Sequence, residues 1–561
     1  MQVFQYRHGS FLWLFEMSKS DNAILKQAGI LAVAGIIVRI IGLLYKSPLT
    51  SIIGDEGNGY YNSAYNWYII ILMISSYSIP SAISKVMAQK FVLGEYKNAQ
   101  KVFRCALIYV LVVGFVGTLI IFNFASLMVG NNGAYVLRVF APTVFLYGPL
   151  GVIRGYFQAQ KTMVPTSVSQ VAEQLINAVI SILAAFCLTN IAISKGQNSA
   201  IYGAAGSALG TGAGVVFALV FMTFVYHKNK KVINEKIKED NNKTDDTKKV
   251  FWMIFTIVTP FLMSTFLYNI TPNINQKLFY HILEMRGFDE SHIAALYGIY
   301  AGKALTITNI PIALSSALAS AMIPSISEKF IQGKKEESNL IAIKVIRVSM
   351  LIATPSALGL IFLARPITQI LFPQRNSLNE AALLLAFLSV TVVFYSQSTI
   401  TNSVLQGTGR LKTPVVNAVI ALIVQTIVLV VLLDYSNLDN MCLVLTRVLY
   451  AFTMFLLNDI ACRKRLKLKL DVKKVYFMPL LAALLMGIAG AAVHYAVAFA
   501  LGGYSKIGYM PNLVASATAI VVSVFVYSIV LVKTNTLTEE DLMSFPKGNK
   551  IIRVFKKVRI L

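Results

Sequence analysis

The stretch Leu146–Leu183, LYGPLGVIRGYFQAQKTMVPTSVSQVAEQLINAVISIL, decides the fold. It reads as an apolar helix, a short basic connection, a proline at the mouth of the next helix, and a second apolar helix. About 250 residues later the order recurs in SVLQGTGRLKTPVVNAVIALIVQTIVLV, from Ser403. There Gln406, Gly407, Arg410, Lys412, Pro414 and Asn417 stand against Gln158, Lys161, Pro165, Gln170 and Asn177. A second pair of places keeps nearly the same offset. Ile79-Pro80-Ser81 precedes Lys85, Lys97, Lys101 and Arg104, while Ile323-Pro324-Ser325 precedes Lys329, Lys344 and Arg347. Two matches in one frame point to one membrane unit written twice.

Composition agrees. The chain has 561 residues, of which 56% are hydrophobic and only 13% charged, more apolar surface than a soluble core needs. The apolar residues come in blocks of about twenty, the length that spans a bilayer as a helix. The expectation is an all-α, polytopic membrane protein with about fourteen transmembrane helices: two six-helix lobes related by a pseudo-twofold axis, then a C-terminal helix pair. Spans are expected near 27–45, 60–84, 102–126, 134–156, 165–190 and 200–226, then 251–280, 293–325, 340–363, 378–402, 413–434 and 440–461, and last 475–500 and 511–533. The domains are then a cytoplasmic N-terminus (1–26), an N-lobe (27–226), a cytoplasmic linker (227–250), a C-lobe (251–461), a basic loop with the final pair (462–533) and a basic cytoplasmic tail (534–561). The linker, with KEDNNKTDDTKK near its end, has the composition of a mobile segment.

The net charge of +25 does not imply nucleic acid, because Lys and Arg lie in short loops between apolar blocks with no basic folded domain. Alternate loops are basic and the others nearly bare, which predicts a multi-pass protein of the cell membrane with both termini cytoplasmic. The tail KGNKIIRVFKKVRIL is expected either to lie on an anionic inner leaflet or to remain solvated. Met17, opening the polar SKSDN stretch, reads as a natural start, with residues 1–16 an extension. Cys105, Cys187, Cys442 and Cys462 are scattered and the five histidines isolated, so no metal site is proposed. Without a GxxxxGK[ST] loop, no cofactor is expected; transport would draw on the membrane potential or on Na+ or H+. A monomer is expected, and no nucleophile–base or nucleotide motif suggests an enzyme.

Charges inside apolar blocks mark candidate sites. Arg39 lies about 20 Å along the first helix from Lys26 and should face protein or a water-filled cavity, unless it snorkels outward past Tyr45 and Lys46. Glu173 lies about 12 Å inside the fifth helix. It is either a proton or cation site or an internal partner for Arg154 or Lys161, and Gln170, Gln174 and Asn177 make that helix more polar. Lys303 and Arg447 sit near outer helix ends, where they snorkel or line a cavity. Asn273, Asn275, Gln276 and Lys277 form either a polar lining or an outer cap.

Arg154-Gly155-Tyr156-Phe157-Gln158, followed by Met163, Pro165-Thr166, Ser169-Gln170 and Glu173-Gln174, resembles the signature of the polysaccharide-exporter branch of the multidrug/oligosaccharidyl-lipid/polysaccharide flippase superfamily. Within that branch the chain is most similar to the SpoVB and YtgP group, relatives of the lipid II flippase MurJ. The opening SKSDNAILKQAGILAVAGIIVRIIGLLYKSPLTSIIGDEGNGYYNSAY extends the likeness, which runs over nearly all the chain from Met17. The resemblance implies two lobes around a V-shaped cavity, a final helix pair along a lipid-tail groove, and flipping of an undecaprenyl-pyrophosphate-linked saccharide. It implies that Arg39, which matches the first-helix arginine of that pattern, holds the pyrophosphate; Lys46 and Lys303, near other basic positions of the pattern, are expected to assist, and Asn273 and Asn275 are expected as further substrate-binding residues from their place in the seventh helix. Arg154, Gln158, Glu173 and Gln174 would form an inner gate or coupling group. The second helix departs from the family pattern in lacking its basic residues. A secondary drug or cation exporter and a non-transporting membrane scaffold in division or sporulation are the alternatives; a positive cavity favours an anionic headgroup over cationic drugs.

Overall fold

The computed structural model describes residues 19–77, 79–374, 376–410, 412–466, 470–502 and 508–537. The expectations for residues 1–16 and for most of the basic tail therefore fall outside the described residues.

Every regular element among the described residues is helical. The chain enters through α1 (Lys19–Leu44), which meets α2 (Lys46–Leu72) at a 48° bend, and a π-helical turn, Met73–Tyr77, leads into α3 (Ile79–Val92). Next comes α4 (Tyr96–Ala159), whose 64 residues would extend about 96 Å if straight, three times a bilayer core. Gly130, at φ 78°, ψ 178°, breaks it, and the two halves run back alongside each other, with the Thr118 hydroxyl donating to the Ala141 carbonyl at 3.0 Å. A non-glycine residue resists that positive φ. The first lobe closes with α5 (Val164–Ser194) and α6 (Ser199–Lys228), the latter capped by Asn198, whose side chain accepts the Ala200 N–H at 2.9 Å.

The stretch expected to be a mobile linker instead carries a helix, α7 (Lys230–Glu239), and is docked beyond it. Asp240 accepts the Lys97 backbone N–H at 2.7 Å in the first turn of α4, and Asp245 pairs with Lys90 at 2.8 Å. Polar composition failed as a guide here because these carboxylates find buried or charged partners on the Gly94 turn.

In the second lobe, α8 (Thr247–Asn269) continues into α9 (Thr271–Met285). Then α10 (Glu290–Gly298), a π-helical segment Ile299–Ala304 and α11 (Leu305–Ile331) make one interrupted crossing. There follow α12 (Lys335–Phe362), the short α13 (Ala364–Leu371), α14 (Leu378–Gly407), α15 (Lys412–Tyr435) and α16 (Met441–Leu466). A π-helical turn, Lys473–Phe477, opens α17 (Met478–Ala500), which pairs with α18 (Tyr509–Lys533). Nine described helices are each long and apolar enough to cross a membrane. With α4 long enough to cross twice and the bent pair α1–α2 adding a further candidate span, the described residues form a polytopic membrane protein.

The sequence repeat is a structural one. In the first lobe α4 packs on α6, α5 on α6, and α2 on α4; in the second, α14 packs on α16, α15 on α16, and α11 on α14. The Gln158 and Gln406 turns both join equivalent helices at the end of the bundle that carries Gly94. At that end the lobes have largely separate cores: one holds Met87, Phe103, Tyr156 and Met222, the other Ile346, Val404 and Cys462, and only the start of α8 joins the first. At the opposite end, marked by Gly130, a single apolar cluster runs from Tyr60 and Phe140 through Phe279 and Tyr297 to Leu385 and Leu443. Among the described residues, the lobes are thus welded at the Gly130 end and have separate cores at the Gly94 end.

Candidate functional site

The weld is built from the glycine-rich string Gly54-Asp55-Glu56-Gly57-Asn58-Gly59. A Cβ on Gly59 would overlap the Ala294 carbonyl, and one on Gly298 would overlap the Asp55 carbonyl, so α2 and α10 cross with backbones in contact. This close approach carries Asp55 to Lys303. The Lys303 amine, only 1% exposed, meets Asp55 Oδ1 at 2.5 Å and donates to Ser377 Oγ at 2.6 Å. The Ser377 hydroxyl in turn donates to Asp55 Oδ2 at 2.5 Å, and the Gln374 amide reaches the Thr50 carbonyl. Lys303 lies in the π-helical segment Ile299–Ala304, whose altered winding sets where its side chain emerges.

Deeper along α2 a polar stripe continues the junction. Ser63 donates to Tyr280 at 3.2 Å, Asn66 to Tyr297 at 2.8 Å, and the Trp67 indole N–H to Gln276 Oε1 at 2.9 Å. Asn273 lies on the same stripe of α9 as Gln276 and Tyr280. It is buried, and its Nδ2 has no hydrogen-bond partner. At the Gly130 break, the Glu290 carboxylate accepts the Asn132 N–H at 3.2 Å, fastening the second lobe to the newly started half of α4.

Lys46 donates to Thr306 Oγ1 at 3.1 Å, again from lobe to lobe. Arg39 lies on α1 and Lys46 opens α2 across the bend, and α1 touches α11 of the other lobe. Arg39 is exposed, and neither Arg39 nor Lys46 has a carboxylate partner among the described residues. Ile36, Ile37, Ile40 and Leu44 make the outward apolar face of α1, while Ile41 and Gly42 turn to α5, so Arg39 stands on the flank between them.

Two groups read together from sequence are separated by the fold. Asn275 does not join Asn273 on the α2-facing stripe: its Nδ2 donates to Gln425 Oε1 at 3.1 Å and its Oδ1 accepts from Gln425 Nε2 at 2.7 Å. That reciprocal amide pair ties α9 to α15 inside the second lobe. Arg154, 4% exposed, donates from Nε to Ser169 Oγ at 2.9 Å and from a terminal nitrogen to Glu173 Oε2 at 2.7 Å. This clamp lies wholly within the first lobe, between α4 and α5. Gln158 is half-buried at the end of α4, and Gln174 approaches Gly42 on α1.

Asp55, Ser377, Thr306 and Tyr297 were not singled out by sequence reasoning. The one available signal was an acidic residue set among glycines, GDEGNG, which otherwise reads as a loop.

The arrangement has one closed end secured by ion pairs, hydrogen bonds and apolar packing, and in Arg39 and Lys46 two cations without a carboxylate partner among the described residues. Such cations can bind an anion, and the junction can open by releasing its bonds.

The model of the family described as polysaccharide biosynthesis protein matches residues 24–330, and the MatE model matches residues 300–432. The chain is 24% identical over 504 residues to the lipid II flippase MurJ of Bacillus subtilis (strain 168), covering 85% of this chain and 90% of that protein. It is 25% identical over 540 residues to the stage V sporulation protein B of the same organism, covering 95% and 100%. Among solved structures, a lipid II flippase MurJ in an inward closed conformation superposes with a TM-score of 0.64 at 14% identity, covering 89% of this chain and 98% of that one.

Proposed function

The chain belongs to the polysaccharide biosynthesis protein family, and from that premise we propose that it is a flippase carrying an undecaprenyl-pyrophosphate-linked saccharide precursor, similar to lipid II, across the cell membrane by alternating access. The observation that carries the proposal is the one-ended weld. Two repeats with separate cores at the Gly94 end and a shared core at the Gly130 end are arranged as one of the two states such a cycle needs. In this reading the basic Gly94 end is cytoplasmic, as are both termini, and the Gly130 end is the outer gate.

Arg39 takes the pyrophosphate, since a guanidinium pairs bidentately with phosphate oxygens and stays charged throughout the physiological range. Lys46 assists when its bond to Thr306 is released. Lys303 acts first as the bolt of the outer gate, and Asn273 offers an unpaired amide to the headgroup. Glu173, clamped by Arg154 but still partly accessible, is the coupling carboxylate for a Na+ or H+ gradient or for the membrane potential. The working unit is a monomer whose partners are the lipid-linked saccharide and the surrounding bilayer.

The test is complementation of a strain depleted of its own lipid II flippase. The wild-type chain should restore growth, and Arg39→Ala should fail at equal membrane abundance; full rescue by Arg39→Ala would remove the pyrophosphate assignment. The MatE match over residues 300–432 and the accessible Glu173 favour a second reading, a cation exporter. Altered drug susceptibility on overexpression, without an envelope phenotype, would select it.

A further inference from the structure

We propose that Arg447 forms a second anion-binding subsite, inside the second lobe, that takes a phosphate or carboxylate group of the cargo; the proposal deepens the flippase reading and rests on it. Leu445, Phe452 and Leu456 are the exposed, lipid-facing residues around it on α16. At 3.6 residues per turn they fall on one side, and Arg447 falls on the opposite side with the buried Leu443, Tyr450 and Met454. The guanidinium therefore points toward the interior of its own lobe. Its carbon stands 5.0 Å from the centre of the Tyr395 ring, and the phenol of Tyr300 lies beside it. Its Nε is buried and has no hydrogen-bond partner.

It lacks a counter-charge. The two fully buried cations among the described residues are neutralised, Arg154 by Glu173 at 2.7 Å and Lys303 by Asp55 at 2.5 Å. Arg447 has no carboxylate within ion-pair distance among the described residues, and the groups acting on it are the phenols of Tyr297, Tyr300 and Tyr395. A ring face and a phenol oxygen stabilise a guanidinium without cancelling its charge. A permanent cation at membrane depth, with one donor free and tyrosine hydroxyls beside it, is the donor set that an oxyanion completes. Tyr395 and Arg447 are each only half-buried. Tyr300 belongs to the π-helical segment that packs on α2 of the other lobe, and its neighbour Tyr297 accepts from Asn66 there. An anion bound at Arg447 therefore sits next to the contact that must break when the outer end opens.

The experiment titrates purified full-length protein with inorganic pyrophosphate and, separately, with glucuronate, at constant ionic strength, following the thermal unfolding midpoint. Wild-type protein should be stabilised by at least one of the two. Dependence on pyrophosphate assigns the subsite to a phosphate, and dependence on glucuronate to an acidic sugar. Arg447→Gln should weaken the apparent affinity for that anion about tenfold or more, the loss expected for hydrogen bonds to a charged group. Arg447→Lys should keep part of it, and Tyr300→Phe should lose less than Arg447→Gln. Should Arg447→Gln not fold, the Lys and Phe variants carry the test by the same ordering. Wild-type protein that binds neither anion, or variants that bind as wild type does, would overturn the proposal. Intact, Arg447-dependent anion binding in a protein that moves no lipid-linked saccharide would instead sink only the flippase reading.

Discussion

Asp55→Asn should spring the gate. Lys303 is 1% exposed, and its amine is satisfied by one carboxylate and one serine hydroxyl. Removing the negative charge leaves a buried ammonium facing an amide, and breaking one side of a buried ion pair costs about 3–5 kcal/mol. Asn still accepts from Ser377, so about 3 kcal/mol is expected, which raises the ratio of open to closed molecules by roughly 150-fold. Lys303→Met should do less, because the Asp55 side chain it leaves behind is 19% exposed and can turn to water. Asp55→Leu with Lys303→Met should close the gate again, since an apolar pair of similar volume avoids the desolvation cost altogether. Spin labels at Lys195→Cys and Tyr435→Cys, exposed and on opposite lobes at this end, report the separation by pulsed electron resonance once the native cysteines are replaced. Wild type and the Leu/Met double variant should share a short distance, with Asp55→Asn longer and broader. Identical distributions in all four proteins would refute the role given to this pair.

Three further outcomes follow from the packing. Gly59→Val should exclude the welded state, because its side chain has to enter the space of the Ala294 carbonyl; the same label pair should report an open end in a protein that still folds. Asn275→Leu should destabilise the second lobe by about 1–3 kcal/mol by stranding buried Gln425, whereas Asn275→Leu with Gln425→Leu should recover most of it in thermal unfolding. The Lys97 and Asn242 backbone N–H groups hold the Asp240 carboxyl below its usual range, so the docking of 240–246 should be complete above roughly pH 4 and fade only as pH falls below it. Hydrogen exchange in the Lys230–Glu239 helix should be slow in wild type at neutral pH and fast in Asp240→Ala; equal rates would mean the docking is not held by this carboxylate.

The apolar blocks and the repeat were legible in the sequence because bilayer-length helices impose a strong local pattern. The start of the second crossing was not. Gly54, Asp55, Gly57, Asn58 and Gly59 have the local chemistry of a loop; Gly54, at φ 70°, does break the helix, but Asp55 to Gly59 are helical, and at Gly59 only glycine permits the approach of the other lobe. Lys303 was visible as an odd charge, but its partner lies far away in sequence and in the other repeat, where no spacing rule reaches. The same holds for Asn275, whose reciprocal bond with Gln425 turns a supposed lining residue into an internal tie. Arg154 and Glu173 were readable as a pair because they sit on consecutive crossings either side of one short turn.

The most direct measurement is the movement of a fluorescent undecaprenyl-pyrophosphate-linked saccharide across proteoliposomes containing the purified chain. Wild type should carry the label across under an imposed ion gradient or potential, and Arg39→Ala should leave it where empty liposomes do. Transfer by the wild-type chain no faster than by empty liposomes, or undiminished by Arg39→Ala, would contradict the account.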